Sequence, residues 1–109
     1  MAPIFKLCSA TEWQEALNAG EYRGSEDDAR DGFIHFSTRE QRACTAAKYF
    51  AGREDLVLVE VDGSRLGEAL RYEASRDGAL FPHLYAVLSV DAAVRVSPVR
   101  RDGARHRFD

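Results

Sequence analysis

A chain of 109 residues has room for one compact domain and leaves nothing over for a second core. Hydrophobic residues make up 45% and charged residues 30%, an ordinary globular balance that excludes a wholly disordered chain. With 15 basic against 18 acidic residues the net charge is −3, so a protein held to nucleic acid by phosphate contacts is not expected.

The opening residues 4–8, Ile-Phe-Lys-Leu-Cys, are apolar and bounded by Pro3 and Ser9, which predicts a buried strand. Thr11 and Gln14 stand at the spacing of a capping box, and Trp13, Ala16 and Leu17 make one apolar stripe. A helix is therefore predicted there, with Gly20 as its stop. Residues 21–32 read as a long polar loop with one extended piece at Glu21-Tyr22. Residues 32–36 predict a second strand, with Phe33 and His35 on one face and Ile34 and Phe36 on the other.

Ser37 or Thr38 is placed to cap a second helix, whose apolar face would be Ala43, Ala46, Ala47 and Phe50. Residues 56–61, nearly continuous and β-branched, predict a central strand, and Asp62-Gly63 a turn. Further strands are expected at residues 70–74, at 81–88 and at 93–96, with a turn over 75–78. Two early helices followed by several short strands predict an α+β fold. The arginine-rich residues 98–109 are expected to be a basic, flexible tail behind a single domain spanning 1–97. No apolar run approaches the ~20 residues of a bilayer span, and the opening lacks a secretory pattern, so a cytoplasmic protein is expected.

Three side chains carry the chemistry in this reading. His35 stands just ahead of Ser37-Thr38, and His83 emerges from a strand stiffened by Pro82. Glu73 belongs to a neighbouring short strand, from which it would orient a hydroxyl or act as a general base if turned into a cleft with His35. Two imidazoles and a carboxylate also form a common metal set, but nothing in the spacing demands a metal and none is expected. Cys8 and Cys44 lack metal-ligand spacing and read as two buried thiols. Neither a glycine-rich dinucleotide fingerprint nor a hydrolase elbow is present.

The residues Ile4-Phe5-Lys6-Leu7, Trp13, Gly20-Glu21-Tyr22, Asp31-Gly32-Phe33-Ile34-His35-Phe36-Ser37-Thr38 and Leu80-Phe81-Pro82-His83-Leu84-Tyr85 together resemble a bacterial family catalogued as domain of unknown function 952. The resemblance covers about residues 4–96. That family is grouped with the ADP-ribosyltransferase-like fold, so the resemblance implies a split β-structure with two helices and an NAD cleft. Residues 33–49 are similar to the second motif of NAD-using members, and Ile34-His35-Phe36-Ser37 is similar to the later part of a histidine-containing run in RNA 2′-phosphotransferases. What this implies is that His35 contacts a ribose and Ser37 supports its orientation. Lys6 stands where relatives carry a histidine or arginine, and a lysine would meet a diphosphate as a point charge. Residues 81–88 hold no acid where many transferases bring a glutamate, which leaves Glu73 as the substitute.

The expected protein is thus a small domain with a cleft for a nucleotide such as NAD or for a phosphosugar. His35, His83 and Glu73 are its catalytic candidates, and Lys6, His35, Ser37 and Tyr85 its binding candidates. The alternative is an active ADP-ribosyl or RNA 2′-phosphate transferase-like enzyme.

Overall fold

The structure, a computed structural model, describes residues 2–75, 78–103 and 105–108. Strand β1 (Pro3–Ser9) pairs antiparallel with β4 (Leu56–Asp62) along its whole length, and β4 pairs on its other side with β8 (Ala93–Pro98). The continuous apolar run of β4 is explained by its central place, since both of its faces are covered. Ile4, Cys8, Val59 and Val61 pack on one face of this sheet with Trp13, Ala16, Tyr22 and Leu84. Phe5, Leu7, Leu56 and Leu58 pack on the other with Ala46 and Val99.

Ser9 ends β1 and begins helix α1 (Ala10–Ala19). Its hydroxyl accepts from the Glu12 amide at 3.0 Å, and the Glu12 carboxylate accepts from the Ser9 amide. The box is therefore Ser9 to Glu12, two residues ahead of the expected Thr11 to Gln14. The chain must turn where β1 ends, and the Ala10 amide is already bonded to the Asp55 carbonyl at 2.8 Å. Trp13 and Ala16 are buried as predicted, Leu17 is exposed, and Gly20 closes the helix at φ 86°.

After β2 (Glu21–Tyr22), the expected polar loop contains a six-residue helix, α2 (Glu26–Asp31), capped reciprocally by Ser25 and Asp28. The described residues thus form three α-helices rather than two. Strand β3 (Ile34–His35) leads to a turn and to α3 (Arg42–Tyr49). Neither Ser37 nor Thr38 caps α3: the Gln41 side chain accepts from the Thr38 amide within the preceding turn, while the Ser37 hydroxyl bonds that of Thr45 at 2.9 Å. Only Ala46 of the expected apolar face is buried, and Cys44 is exposed, unlike Cys8. Burial pushes the Cys8 thiol up to about 12.

A second sheet has the order β3-β6-β5, with β5 at Leu70–Ala74 and β6 at Leu80–Leu84. The predicted strand over 81–88 is broken, because residues 85–87 carry the chain away to β7 (Leu88–Ser89), which pairs with β2. The expected turn over 75–78 lies partly outside the described residues. Beyond β8, Arg100–Asp102 (β9) and Arg105–Arg107 (β10) form an antiparallel hairpin where a flexible tail was expected. Val99 is buried, Arg101 meets Glu54 at 3.1 Å, and the His106 ring bonds the Arg53 carbonyl at 2.9 Å. The radius of gyration of 13.0 Å matches the ~13 Å of a packed domain this long.

The two larger sheets pack together through Ile4, Ile34 and Leu84, and an antiparallel bridge links the first to the end of β3, where Phe5 and Ser37 exchange two backbone hydrogen bonds of 2.8 Å. A cleft opens between them, and this junction positions everything that follows.

Candidate functional site

His35 of β3 and His83 of β6 are register partners, so period-2 alternation sends both rings to the same face. Their centroids are 5.5 Å apart, and both line a cleft of about 210 Å³. Phe5 and Lys6 of β1, Ser37, Phe81 and the acidic end of α2 contribute the other walls. Phe33 lies against the pair: it stacks on His83 at 4.0 Å and 27°, and tilts against His35 at 4.6 Å.

One wall is an ionic knot centred on Asp28, which is 2% exposed. Its Oδ2 accepts from the Lys6 ammonium at 2.8 Å and from the Ser25 amide at 2.9 Å. Its Oδ1 accepts from the His35 amide at 3.1 Å and lies 2.6 Å from His35 Nδ1. Burial alone would raise this carboxyl. The His35 hydrogen bond, the Lys6 charge and hydrogen bond, and the Ser25 amide outweigh it and hold Asp28 well below the usual carboxylate range. Backbone geometry reserves the space: Gly24 has φ +101°, and a Cβ there would stand 2.6 Å from the Asp28 Cβ. Gly24→Ala is expected to cost about 2 kcal/mol, read as a lowered urea midpoint with unchanged slope.

His35 is committed on both sides, since its Nε2 lies 3.1 Å from Asp31 Oδ2. Asp31 is itself held by Arg30, whose hydrogen bond is the main cause of the lowered Asp31 carboxyl. Lys6 is paired with Asp28 at 2.8 Å.

His83 is different. It is 4% exposed, its Nδ1 lies 2.9 Å from Glu73 Oε1, and its Nε2 is buried with no partner. Tyr85 donates to the same Glu73 oxygen at 2.6 Å. The Tyr85 hydrogen bond first, and then that of His83, lower the Glu73 carboxyl. Glu73 and Tyr85 do not line the cleft but reach it through the imidazole. Of the predicted residues, then, Lys6, His35, Ser37 and His83 converge on the cleft wall, while Glu73 and Tyr85 stand behind His83. Sequence reasoning missed Asp28, Asp31 and Phe33, although Ser25-x-x-Asp28 is itself a capping pattern. Among the described residues no cluster of three or more His, Cys, Asp or Glu is arranged to hold a metal ion. Among them, too, no helix is long and apolar enough to cross a membrane.

The sequence pattern of the family described as "Protein of unknown function (DUF952)" matches residues 7–96. The chain belongs to the DUF952 family. Its similarity to a solved relative spans almost the whole length: the crystal structure of protein CC0527 from Caulobacter crescentus is 44% identical, with a TM-score of 0.94 over 96% of this chain and 93% of that one. A crystal structure of a double mutant of CC0527 is 43% identical, with a TM-score of 0.93 over the same shares. The solution NMR structure of CC0527 is 45% identical, with a TM-score of 0.87 over 97% of this chain and 91% of that one. No curated protein matches the chain. The described residues of this DUF952 chain thus form an α+β arrangement of three helices and several antiparallel sheets, similar to that of a bacterial relative.

Proposed function

We propose that this DUF952 protein binds a small molecule through a sugar ring, the ribosyl part of a nucleotide such as NAD or the sugar of a phosphosugar. The observation that carries the reading is the unpartnered Nε2 of His83 on a residue that lines the cleft. A buried polar atom left without a partner costs roughly 1–3 kcal/mol, and a ligand hydroxyl would remove that cost. Size narrows the choice. Pockets for drug-sized ligands run to roughly 300–1,000 Å³, so a cleft of about 210 Å³ holds one ring and leaves the rest of a dinucleotide outside. The bridge between the two larger sheets, with the cleft opening beside it, is the feature that favours an ADP-ribosyltransferase-like split for this domain.

One observation favours catalysis as a second reading. The Glu73 carboxylate can only accept, so Nδ1 is the donor, and a neutral imidazole in this position has its lone pair on Nε2, the tautomer a general base needs. An ADP-ribosyl or 2′-phosphate transferase would use His83 in that role, with Glu73 as its orienting partner. Glu73 makes no direct approach to a ribosyl cation in this arrangement, and binding without turnover is therefore the preferred reading.

Thermal unfolding in the presence of ribose 5-phosphate, nicotinamide riboside and NAD tests the proposal. A true ligand at ~100 times its Kd adds about 2.7 kcal/mol of apparent stability. His83→Asn places an amide near Glu73 but deletes Nε2, and it is expected to weaken that ligand at least about tenfold. Equal affinity in the variant, or no stabilisation by any of the three, refutes the sugar-binding reading. Release of free nicotinamide from NAD, abolished in the same variant, would replace it by the enzymatic one.

A further inference from the structure

A second, smaller pocket of about 140 Å³ is walled by Arg39, Arg42, Leu58, Glu60, Arg95 and Ser97. The turn before α3 supplies Arg39, α3 itself supplies Arg42, β4 supplies Leu58 and Glu60, and β8 supplies Arg95 and Ser97. Three guanidiniums face one carboxylate, so positive charge is left over in an otherwise acidic protein. Among the described residues none of the three has a salt-bridge partner, whereas Arg23, Arg30, Arg53, Arg65 and Arg101 all do.

Their orientation is not left to solvent. Arg39 and Arg42 both lie over the Phe5 ring, at 5.1 and 5.0 Å, and Arg42 also lies over Phe108 at 5.1 Å. Stacking on aromatic faces holds a guanidinium by its π-surface and leaves its N–H edge free for a planar or tetrahedral oxyanion. Burial first, and the neighbouring Arg39 charge second, lower the Arg42 guanidinium, and the carboxylates of Glu60 and Glu40 offset this only in part. Glu60 is the opposing group: it stands directly across from Arg95 in the β4–β8 register and offsets part of the field.

We infer that Arg39, Arg42 and Arg95, with the Ser97 hydroxyl, form an oxyanion site that takes a phosphate group. The volume suits it, since one water occupies ~30 Å³ in the liquid and a tetrahedral anion with its nearest waters needs several times that. The site stands independently of the reading of the histidine cleft. A phosphate arriving free and a phosphate attached to a sugar in that cleft share this chemistry, and they are told apart by the variant that touches only the cleft.

Titration with sodium phosphate at constant ionic strength, followed by ¹H–¹⁵N NMR, tests the inference. The Nε–Hε signals of Arg39, Arg42 and Arg95 and the Ser97 amide are expected to shift saturably, where sodium chloride alone leaves them in place. Arg95→Gln removes an exposed guanidinium that no core contact depends on, and is expected to weaken phosphate roughly tenfold, the loss of one charge-assisted hydrogen bond. Glu60→Gln removes the opposing charge and is expected to tighten phosphate several-fold. Equal shifts with chloride, or affinity unmoved by Arg95→Gln or by Glu60→Gln, overturns the site. If ribose 5-phosphate binds more tightly than inorganic phosphate, and His83→Asn erases only that advantage, the phosphate belongs to a sugar ligand shared with the cleft. Equal affinity of the two assigns the site to free phosphate.

Discussion

Asp28→Asn is expected to destabilise the fold by about 3–5 kcal/mol, the range for breaking one partner of a buried ion pair. The mechanism is specific. The carboxylate accepts from Lys6, Ser25 and, twice, His35, and both of its oxygens are used. Asparagine keeps one acceptor oxygen and replaces the other by an amide that faces donors. Lys6, whose side chain is 8% exposed, would then carry a buried charge with no counter-ion. For a domain of this size the thermal midpoint should fall by roughly 12 °C or more. Lys6→Met in the same chain removes the stranded charge, so the double variant is expected to be more stable than the sum of the two losses predicts.

The same carboxyl gives the protein an acid-sensitive component. Its folded pKa lies below the unfolded value of about 3.9, so the stability it contributes is complete above about pH 5 and is lost as pH falls through and below 4. Asp31, Asp55, Asp62 and Glu73 are lowered as well and add to the acid slope in both proteins. The difference between wild type and Asp28→Asn, measured by urea unfolding between pH 3 and 7, isolates the one residue. That difference should shrink as the pH drops. If it holds constant down to pH 3, Asp28 is not the depressed group.

The parts of this fold that were legible in the sequence are those whose cause is local. β1 and β4 announce themselves through apolar and β-branched runs, and Gly20 through the left-handed backbone that a helix terminus requires. The meeting of His35 and His83 was within reach too, because two strands with one histidine each need only the correct register to face their rings together. What escaped the sequence has non-local causes. Helix α2 has six residues and no apolar stripe, and it is held by Asp28 reaching across to Lys6, 22 positions away in the chain. Its capping pattern was readable, but so was the rival pattern at Thr11, and the choice between such patterns falls to tertiary contacts such as the Ala10 to Asp55 bond.

The C-terminal hairpin makes the same point with opposite composition. Arg100, Arg101, Arg105 and Arg107 look like a solvated tail, yet Val99 anchors the segment in the core, and Glu54 and the Arg53 carbonyl receive Arg101 and His106. Of the expected site residues, Lys6, His35, Ser37 and His83 line the cleft, and their partners set them apart from one another. His35 has a carboxylate at each ring nitrogen, Asp28 and Asp31, and Lys6 is paired with Asp28. Among the described residues His83 has a carboxylate, Glu73, at Nδ1 and no partner at Nε2. No spacing rule separates a histidine with two carboxylate partners from a histidine with one.

Phe5→Ala is expected to match Asp28→Asn in cost, at about 3–5 kcal/mol, the range for removing a fully packed aromatic ring. The ring fills the core with Leu7, Ala46, Leu56 and Leu58, and it carries Arg39 and Arg42 on its face. The Phe5 backbone bridge to Ser37 needs no side chain and survives the substitution, so the sheets should stay joined while the cleft loses one of its lining rings. Phe5→Leu separates packing from stacking: it restores most of the buried volume but offers no π-face to the guanidiniums. Calorimetric unfolding should therefore place Phe5→Leu within about 1.5 kcal/mol of wild type, far above Phe5→Ala. Phosphate affinity should be weakened in Phe5→Leu even so, because Arg39 and Arg42 lose the surface that aims them. If Phe5→Leu binds phosphate as wild type does, the ring is only a core residue. If Phe5→Ala unfolds at the wild-type midpoint, the second core does not rest on it.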